Sequence, residues 1–189
     1  MNRFLTFAVV TLTVAMLGST NLRAQDEHHE HGAGELPTLG IAVITPTKGN
    51  KVRGTLRLMQ KGDELRIRGR ISNLTPGEHG FHIHQFGDER GTDGTATGGH
   101  FNPDGHQHGA PGSTSHAGDL GNITADAEGV AKVDVVTSGT KLHFILGRAF
   151  VVHAGKDDLA SQPSGAAGAR VATGVIGIGN PEFTVKKSN

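Results

Sequence analysis

Residues 64–72 read ELRIRGRIS, and this stretch states its period more plainly than any other in the chain. Leu65, Ile67, Gly69 and Ile71 alternate with Arg66, Arg68 and Arg70. Because a strand sends successive side chains to opposite faces, the alternation describes one buried and one solvated surface, as in an antiparallel sheet. Lys61-Gly62-Asp63 supplies a hairpin turn before it, and Thr75-Pro76-Gly77 supplies a turn after it.

Outward from this strand, short apolar or alternating runs mark seven more, at 41–44, 52–59, 81–86, 120–124, 130–136, 144–153 and 171–178. No run carries a helical period. Two polar stretches, the one ahead of Leu120 and Ala154 to Ala169, are too long for hairpin turns. Twenty-nine glycines with no tryptophan, tyrosine or cysteine also favour short strands and long connections over a helical bundle. The expected architecture is an all-β sandwich or barrel that carries its function on the long loops. A length of 189 residues suits one domain, and no internal repeat is present. Basic and acidic residues balance at 18 each, so the charge gives no sign of a nucleic-acid partner.

The N-terminus is a separate object. Met1-Asn2-Arg3 is a short basic start, followed by the apolar run Leu5 to Leu17 and a polar exit. This pattern is expected of a secretory signal peptide over residues 1–24, too short and too lightly flanked for a membrane span, with Ala24 before the cut. Removing it deletes Arg3 and Arg23 and no acid, which leaves 16 basic against 18 acidic residues. The mature protein is therefore expected in an exported location, periplasmic or extracellular, with no membrane contact. Residues 25–38 then form a flexible arm in which His28, His29 and His31 serve either as a weak metal-collecting segment or as a solvated tail. The domain proper is expected over 39–189. Export normally brings disulfides, but a cysteine-free chain must hold its loops by metal, packing or hydrogen bonds.

Glu78 to Asp119 holds seven of the twelve histidines in a setting rich in glycine, threonine, serine and proline. His82 and His84, two apart on a strand, leave the same face and make half of a four-nitrogen site of the kind that suits copper. His100, His108 and His116 recur every eight residues and are followed by Asp119. Three nitrogens and one carboxylate oxygen are a closed tetrahedral set for zinc, and such a cross-link orders a glycine-rich loop. His106 breaks the spacing and is read as an exposed loop residue. His79 is read as making a structural hydrogen bond, and His143 as structural or exposed.

GFHIHQFGD, GGHFNPDGHQHGAPGSTSHAGDLGNITAD, GRAFVVHAGKDDL and GARVATGVIGIG resemble, in order, the blocks of the copper/zinc superoxide dismutase family. The resemblance covers about residues 40 to 179. It implies a flattened eight-stranded antiparallel Greek-key β-barrel, an immunoglobulin-like sandwich with long metal-binding and electrostatic loops. It implies copper held by His82, His84, His100 and His153, and zinc held by His100, His108, His116 and Asp119, with His100 bridging both. Asp157 stands where the family has an aspartate that accepts hydrogen bonds from a copper and a zinc histidine. Arg170 matches the arginine that draws the superoxide anion to copper and holds it there. The implied reaction is disproportionation of superoxide to dioxygen and hydrogen peroxide by alternating reduction and oxidation of copper, with Arg170 and His100 as the catalytic residues.

The chain departs from the family in two places. Most members have a disulfide tying the first long loop to the barrel, whereas here the strand position is Thr173 and the loop partner falls near Asp93 or Gly94. The second loop is short, Lys156 is its only lysine, and the run QPSGAAGAR resembles bacterial members. Steering is therefore expected to rest mainly on Arg170. The altered loop anchoring leaves both a homodimer and a monomer open. A different class of function also stays open, a non-catalytic exported metal-buffering protein on the same fold, which needs neither the bridging histidine nor the arginine.

Overall fold

The computed structural model describes residues 35–183. The expected leader, and the arm up to residue 34, lie outside the described residues. Eight strands follow in order: β1 (Leu39–Pro46), β2 (Arg53–Lys61), β3 (Glu64–Ser72), β4 (Gly77–His84), β5 (Asp119–Ala125), β6 (Ala131–Thr137), β7 (Ala149–His153) and β8 (Arg170–Ile178). All pairings are antiparallel, and they close a barrel in the order β1-β2-β3-β6-β5-β4-β7-β8. Strands β4, β5 and β6 follow one another while β7 returns to lie beside β4, which is a Greek key. The β5–β6 seam is held by the single pair Ala125–Ala131.

Strand β3 fulfils its alternation: Leu65, Ile67 and Ile71 are fully buried, while Arg68 and Arg70 are exposed. The interior also takes Ile44, Leu56, Leu58, Phe81, Ile83, Phe150, Val152 and Ile176. Phe81 and Phe150 stack with ring centroids 5.1 Å apart, joining β4 to β7 at the centre.

Two strands differ most from their expected spans, the others shifting by at most two residues at their ends. β4 starts at Gly77, because residues 77–80 pair with β5, and it stops at His84 rather than Phe86. The Gln85 and Phe86 amides donate instead to Gly99 and Thr97 of the long loop, at 2.9 and 3.0 Å, so the chain leaves the sheet there. The run expected as one strand from Phe144 begins as a single helical turn, α1 (Leu142–Ile145), and becomes β7 only at Ala149. Leu142 and Ile145, three apart, are both fully buried, and the Leu142 amide donates to Gln60 Oε1 at 2.8 Å. A turn of helix puts both side chains on one side, which a strand spacing of three does not.

Every residue of β4 from His79 to His84 is buried. Phe81 and Ile83 face the barrel interior, so His82 and His84 face outward and are covered by the loops 85–118 and 154–169. The candidate site is built in that layer between barrel and loops.

Candidate metal centre

The sheet fixes the first three members. In the β4–β7 register His82 lies opposite Val151 and His84 opposite Ala149, and β7 ends at His153. His100 is brought to the same place by an isolated bridge with His84. His82, His84, His100 and His153 form one group and His100, His108, His116 and Asp119 another, with one ligand atom per residue and all such atoms in a group within 4.8 Å. The structure thus brings together every residue expected as a ligand, and only His100 is in both groups. His79, His106 and His143 stand apart from them. His79 is buried, with contacts of 2.8 Å to the carbonyls of His153 and Thr75. His106 is partly buried and its Nδ1 lies 3.1 Å from the Ser115 carbonyl.

Five of the six imidazoles are tied by one nitrogen and leave the other without a partner. His84 Nδ1 donates to the Gly98 carbonyl at 2.8 Å and His153 Nδ1 to the Gly168 carbonyl at 3.0 Å. A carbonyl only accepts, so in the neutral ring these nitrogens carry the proton and the Nε2 lone pairs are bare. His82 Nε2 and His108 Nε2 are held by Asp157, and His100 Nδ1 by Asp119. The opposite nitrogens, His82 Nδ1, His84 Nε2, His100 Nε2, His108 Nδ1 and His153 Nε2, are buried without a hydrogen-bond partner. Five such atoms in one region would be costly in a protein that had nothing to place between them.

Charge agrees with this. Burial is the main cause that depresses His84 to about 2 and His153 to about 4, and it lowers His82 as well. The rings are therefore neutral near pH 7, as ligands must be. In the second group Asp119 Oδ1 lies 2.7, 3.1 and 3.2 Å from Nδ1 of His100, His108 and His116. The His108 approach is close without hydrogen-bond geometry, which is why its Nδ1 is still unpartnered. Zinc held tetrahedrally at 2.0–2.1 Å requires ligand atoms about 3.3 Å apart, a separation these contacts come close to. The donor sets fit their metals: four imidazoles for copper, three imidazoles and a carboxylate for zinc.

Asp157 joins the groups from behind. It is fully buried, with Oδ2 2.7 Å from His82 Nε2 and Oδ1 2.9 Å from His108 Nε2. Burial pushes this carboxyl up, but hydrogen bonds from His82, the Leu159 amide and His108 prevail and hold it at about 2. Three residues that sequence reasoning missed fix its position. Asn122 accepts from the Asp157 amide and donates to its carbonyl, at 2.8 and 2.9 Å. Gln162 makes the same two-point clamp on the backbone of His108, at 2.8 and 2.9 Å. Gly165, at φ 67°, leaves room for the carboxylate, since a Cβ there would overlap Asp157 and come within 2.6 Å of His108 Nε2. Neither amide nor glycine stands in a sequence pattern that names it.

Arg170 lines a solvent-open pocket of about 420 Å³ with His84, His100, His116 and His153. Its guanidinium donates to the Gly94 and Gly98 carbonyls at 2.6 and 2.8 Å and to Thr97 Oγ1 at 3.1 Å. The same loop is fastened to β8 without a covalent link. Thr173 Oγ1 donates to Glu89 Oε1 at 2.8 Å, and Gly94 comes so near that a Cβ on it would lie 3.1 Å from Thr173 Cγ2.

With this geometry in hand, the chain was compared with known proteins. Residues 52–176 match the family model described as copper/zinc superoxide dismutase (SODC). The chain belongs to the copper/zinc superoxide dismutase family. It is 49% identical over 149 residues to "Superoxide dismutase [Cu-Zn] 2" of Mesembryanthemum crystallinum, covering 72% of this chain and 94% of that one. A solved structure, that of the clock protein EA4, superposes with a TM-score of 0.71 at 39% identity, covering 78% of this chain and 99% of its own. By family this superoxide dismutase is an oxidoreductase whose substrate is superoxide and whose cofactors are copper and zinc.

Two outcomes are expected. Asp157→Asn keeps the shape but cannot accept from both His82 and His108, so metal affinity falls about 10- to 100-fold by chelator competition; unchanged affinity would show that Asp157 is not a positioning residue. Metal-free protein melts well below the metal-loaded form, and added reductant does not shift the metal-free transition, because there is no cysteine. Equal melting temperatures with and without chelator would contradict the ordering role of the metals.

Proposed function

We propose that His82, His84, His100 and His153 hold copper, that His100, His108, His116 and Asp119 hold zinc, and that Arg170 and His100 act on the substrate. The observation that carries this reading is the set of unpartnered buried ring nitrogens, of which those of His84, His100 and His153 belong to rings that line one pocket with the Arg170 guanidinium. The chemistry supplied by bound copper is a one-electron couple: one superoxide loses an electron and leaves as dioxygen, and a second gains one with two protons and leaves as hydrogen peroxide.

The chain's own groups do the rest. Arg170 attracts a small anion into the pocket and orients it, and its three hydrogen bonds to the loop fix the guanidinium at little further entropic cost. His100 Nε2 takes up a proton and passes it to the forming peroxide. Zinc held by His100, His108, His116 and Asp119 would lower the basicity of this ring into a useful range. His84 and His153 keep their protons on Nδ1, bonded to carbonyls, so neither competes for that role.

Arg170→Ala is expected to lower the rate constant for superoxide consumption by about tenfold or more and to flatten its dependence on ionic strength. Metal bound at one copper and one zinc per chain with no superoxide consumption in the unaltered protein would instead favour the metal-buffering reading.

The proposal includes export, a bacterial-type second loop and a homodimer. Export rests on the leader read at residues 1–24, and the loop type on the run 162–170. The dimer rests on an apolar outer surface: Val43, Phe86, Val175 and Ile178 are 60, 56, 36 and 68% exposed on β1, β8 and the loop beside them. Gly87 adjoins this surface, with its Cβ position 3.1 Å from Val175 Cγ1. Native mass spectrometry of protein made with its full N-terminus reads both export and assembly. Two chains, each beginning near Gln25, are expected; a single chain beginning at Met1 would contradict both.

A further inference from the structure

The arginines that announced β3 are placed by the sheet next to other cations. In the β2–β3–β6 register Arg57 stands opposite Arg68, Thr55 opposite Arg70, and Arg53 opposite Ser72. On the other side Arg70 stands opposite Lys132, Arg68 opposite Asp134 and Arg66 opposite Val136. All these side chains share the outer face, since the alternate residues Leu56, Leu58, Leu65, Ile67, Ile71 and Val133 are buried in the barrel. The result is a lattice of six basic side chains, Arg53, Arg57, Arg66, Arg68, Arg70 and Lys132, around the carboxylate of Asp134.

Asp134 is fully used. It takes Arg66 in a two-point pair at 2.7 and 2.8 Å and Arg68 at 2.9 and 3.1 Å. Among the described residues, Arg53, Arg57, Arg70 and Lys132 have no ion-pair partner. Like charges directly opposite on a sheet destabilise it, so Arg57 facing Arg68 and Arg70 facing Lys132 are an internal cost. The chain as a whole balances 18 basic against 18 acidic residues, so this face concentrates charge that the composition conceals. A shallow groove of about 520 Å³ runs between Arg53 and Arg70, floored by Gly54, Thr55 and Ser72.

We propose that the outer face of β2, β3 and β6 is a docking surface for a polyanionic polysaccharide carrying sulfate or carboxylate groups. Cations repeat about every 6.8 Å along a strand and about 4.8 Å between strands, so a chain of closely spaced anionic groups meets several of them at once. Guanidinium forks bind sulfate and carboxylate by two hydrogen bonds, and the Thr55 and Ser72 hydroxyls add partners for sugar hydroxyls. The chemistry of the lattice selects against two other polyanions. No aromatic side chain is interleaved to stack on bases, and the exposed apolar residue on this face, Val136 opposite Arg66, is one short side chain at the edge of the lattice rather than an anchor for a lipid surface. In the barrel order β2 and β3 lie opposite β4 and β7, so an occupied face leaves the metal pocket open. Docking would hold the enzyme at an anionic surface while it works.

The test uses the metal-loaded protein on immobilised dextran sulfate, with neutral dextran as the blank. Two double variants remove equal charge: Arg57→Ser with Arg70→Ser from the lattice, and Lys48→Ser with Arg90→Ser from elsewhere. The unaltered protein is expected to be retained by dextran sulfate and not by dextran. The lattice variant is expected to bind about tenfold or more weakly, with the slope of log affinity against log salt reduced by about two. Its superoxide consumption and metal content are expected to be unchanged, which shows that it is folded, and the other variant is expected to bind like the unaltered protein. No retention, or equal loss in both variants, would overturn the proposal. Tighter binding at equal salt to duplex DNA or to anionic lipid vesicles than to dextran sulfate would overturn the choice of partner.

Discussion

The fully buried carboxylate of Asp157 lies where the second loop meets the first, with one oxygen against His82 and the other against His108. It is the point at which two irregular stretches become one rigid layer. A buried carboxylate is expensive unless its oxygens are satisfied. Here they are met by two imidazoles and the Leu159 amide, while its backbone is held by Asn122. Because Asp157 captures one nitrogen on each ring, the other must turn towards its metal group. The carbonyls of Gly98 and Gly168 do the same for His84 and His153, so the bare nitrogens of the site follow from where the oxygens behind it lie.

This arrangement also explains how a chain without cysteine keeps long loops ordered. The loop ahead of β5 is fastened at several separated places. They are the His84–His100 bridge, the Gln162 clamp on His108, the three Arg170 contacts and the Thr173–Glu89 hydrogen bond. None equals a covalent link, since a hydrogen bond to a charged group contributes about 1.5–3 kcal/mol. Their placement matters more than their sum, because the guanidinium proposed to meet the substrate is itself one of the fasteners. Anchoring the loop and aiming Arg170 are one act.

The barrel was legible in the sequence where one face meets water. The alternation at 64–72 gives β3 correctly, and the two-residue spacing of His82 and His84 puts them on one face of β4. Where both faces are covered the period carries less. The end of β4 at His84 is decided by the Gly99 and Thr97 carbonyls of a distant loop, and the helical turn at Leu142–Ile145 by the shape of the barrel end. The candidate ligands were legible in part from spacing, His82 and His84 on one strand and His100, His108, His116 and Asp119 in the loop, whereas His153 followed only from the family resemblance. Asn122, Gln162 and Gly165 were not, because an amide clamp on a backbone or a missing Cβ leaves no periodic trace and is defined only once the two loops touch. The basic face is intermediate. The arginines of β3 were plain, but their pairing with Arg57 and Lys132 exists only in the register.

At His82, His84, His108 and His153 the protein presets which ring nitrogen is bare. Nitrogen-15 NMR of the histidine rings reads this directly, in the metal-free protein and again after one equivalent each of zinc and reduced copper. The Nδ1–H form is expected at His84 and His153 before any metal is added. Nε2 of these two rings, and Nδ1 of His82 and His108, are expected to shift on metal addition while the opposite nitrogens keep their protons. Nε2–H forms at His84 and His153 in the metal-free protein, or metal-dependent shifts at the nitrogens now held by carbonyls and Asp157, would contradict this presetting.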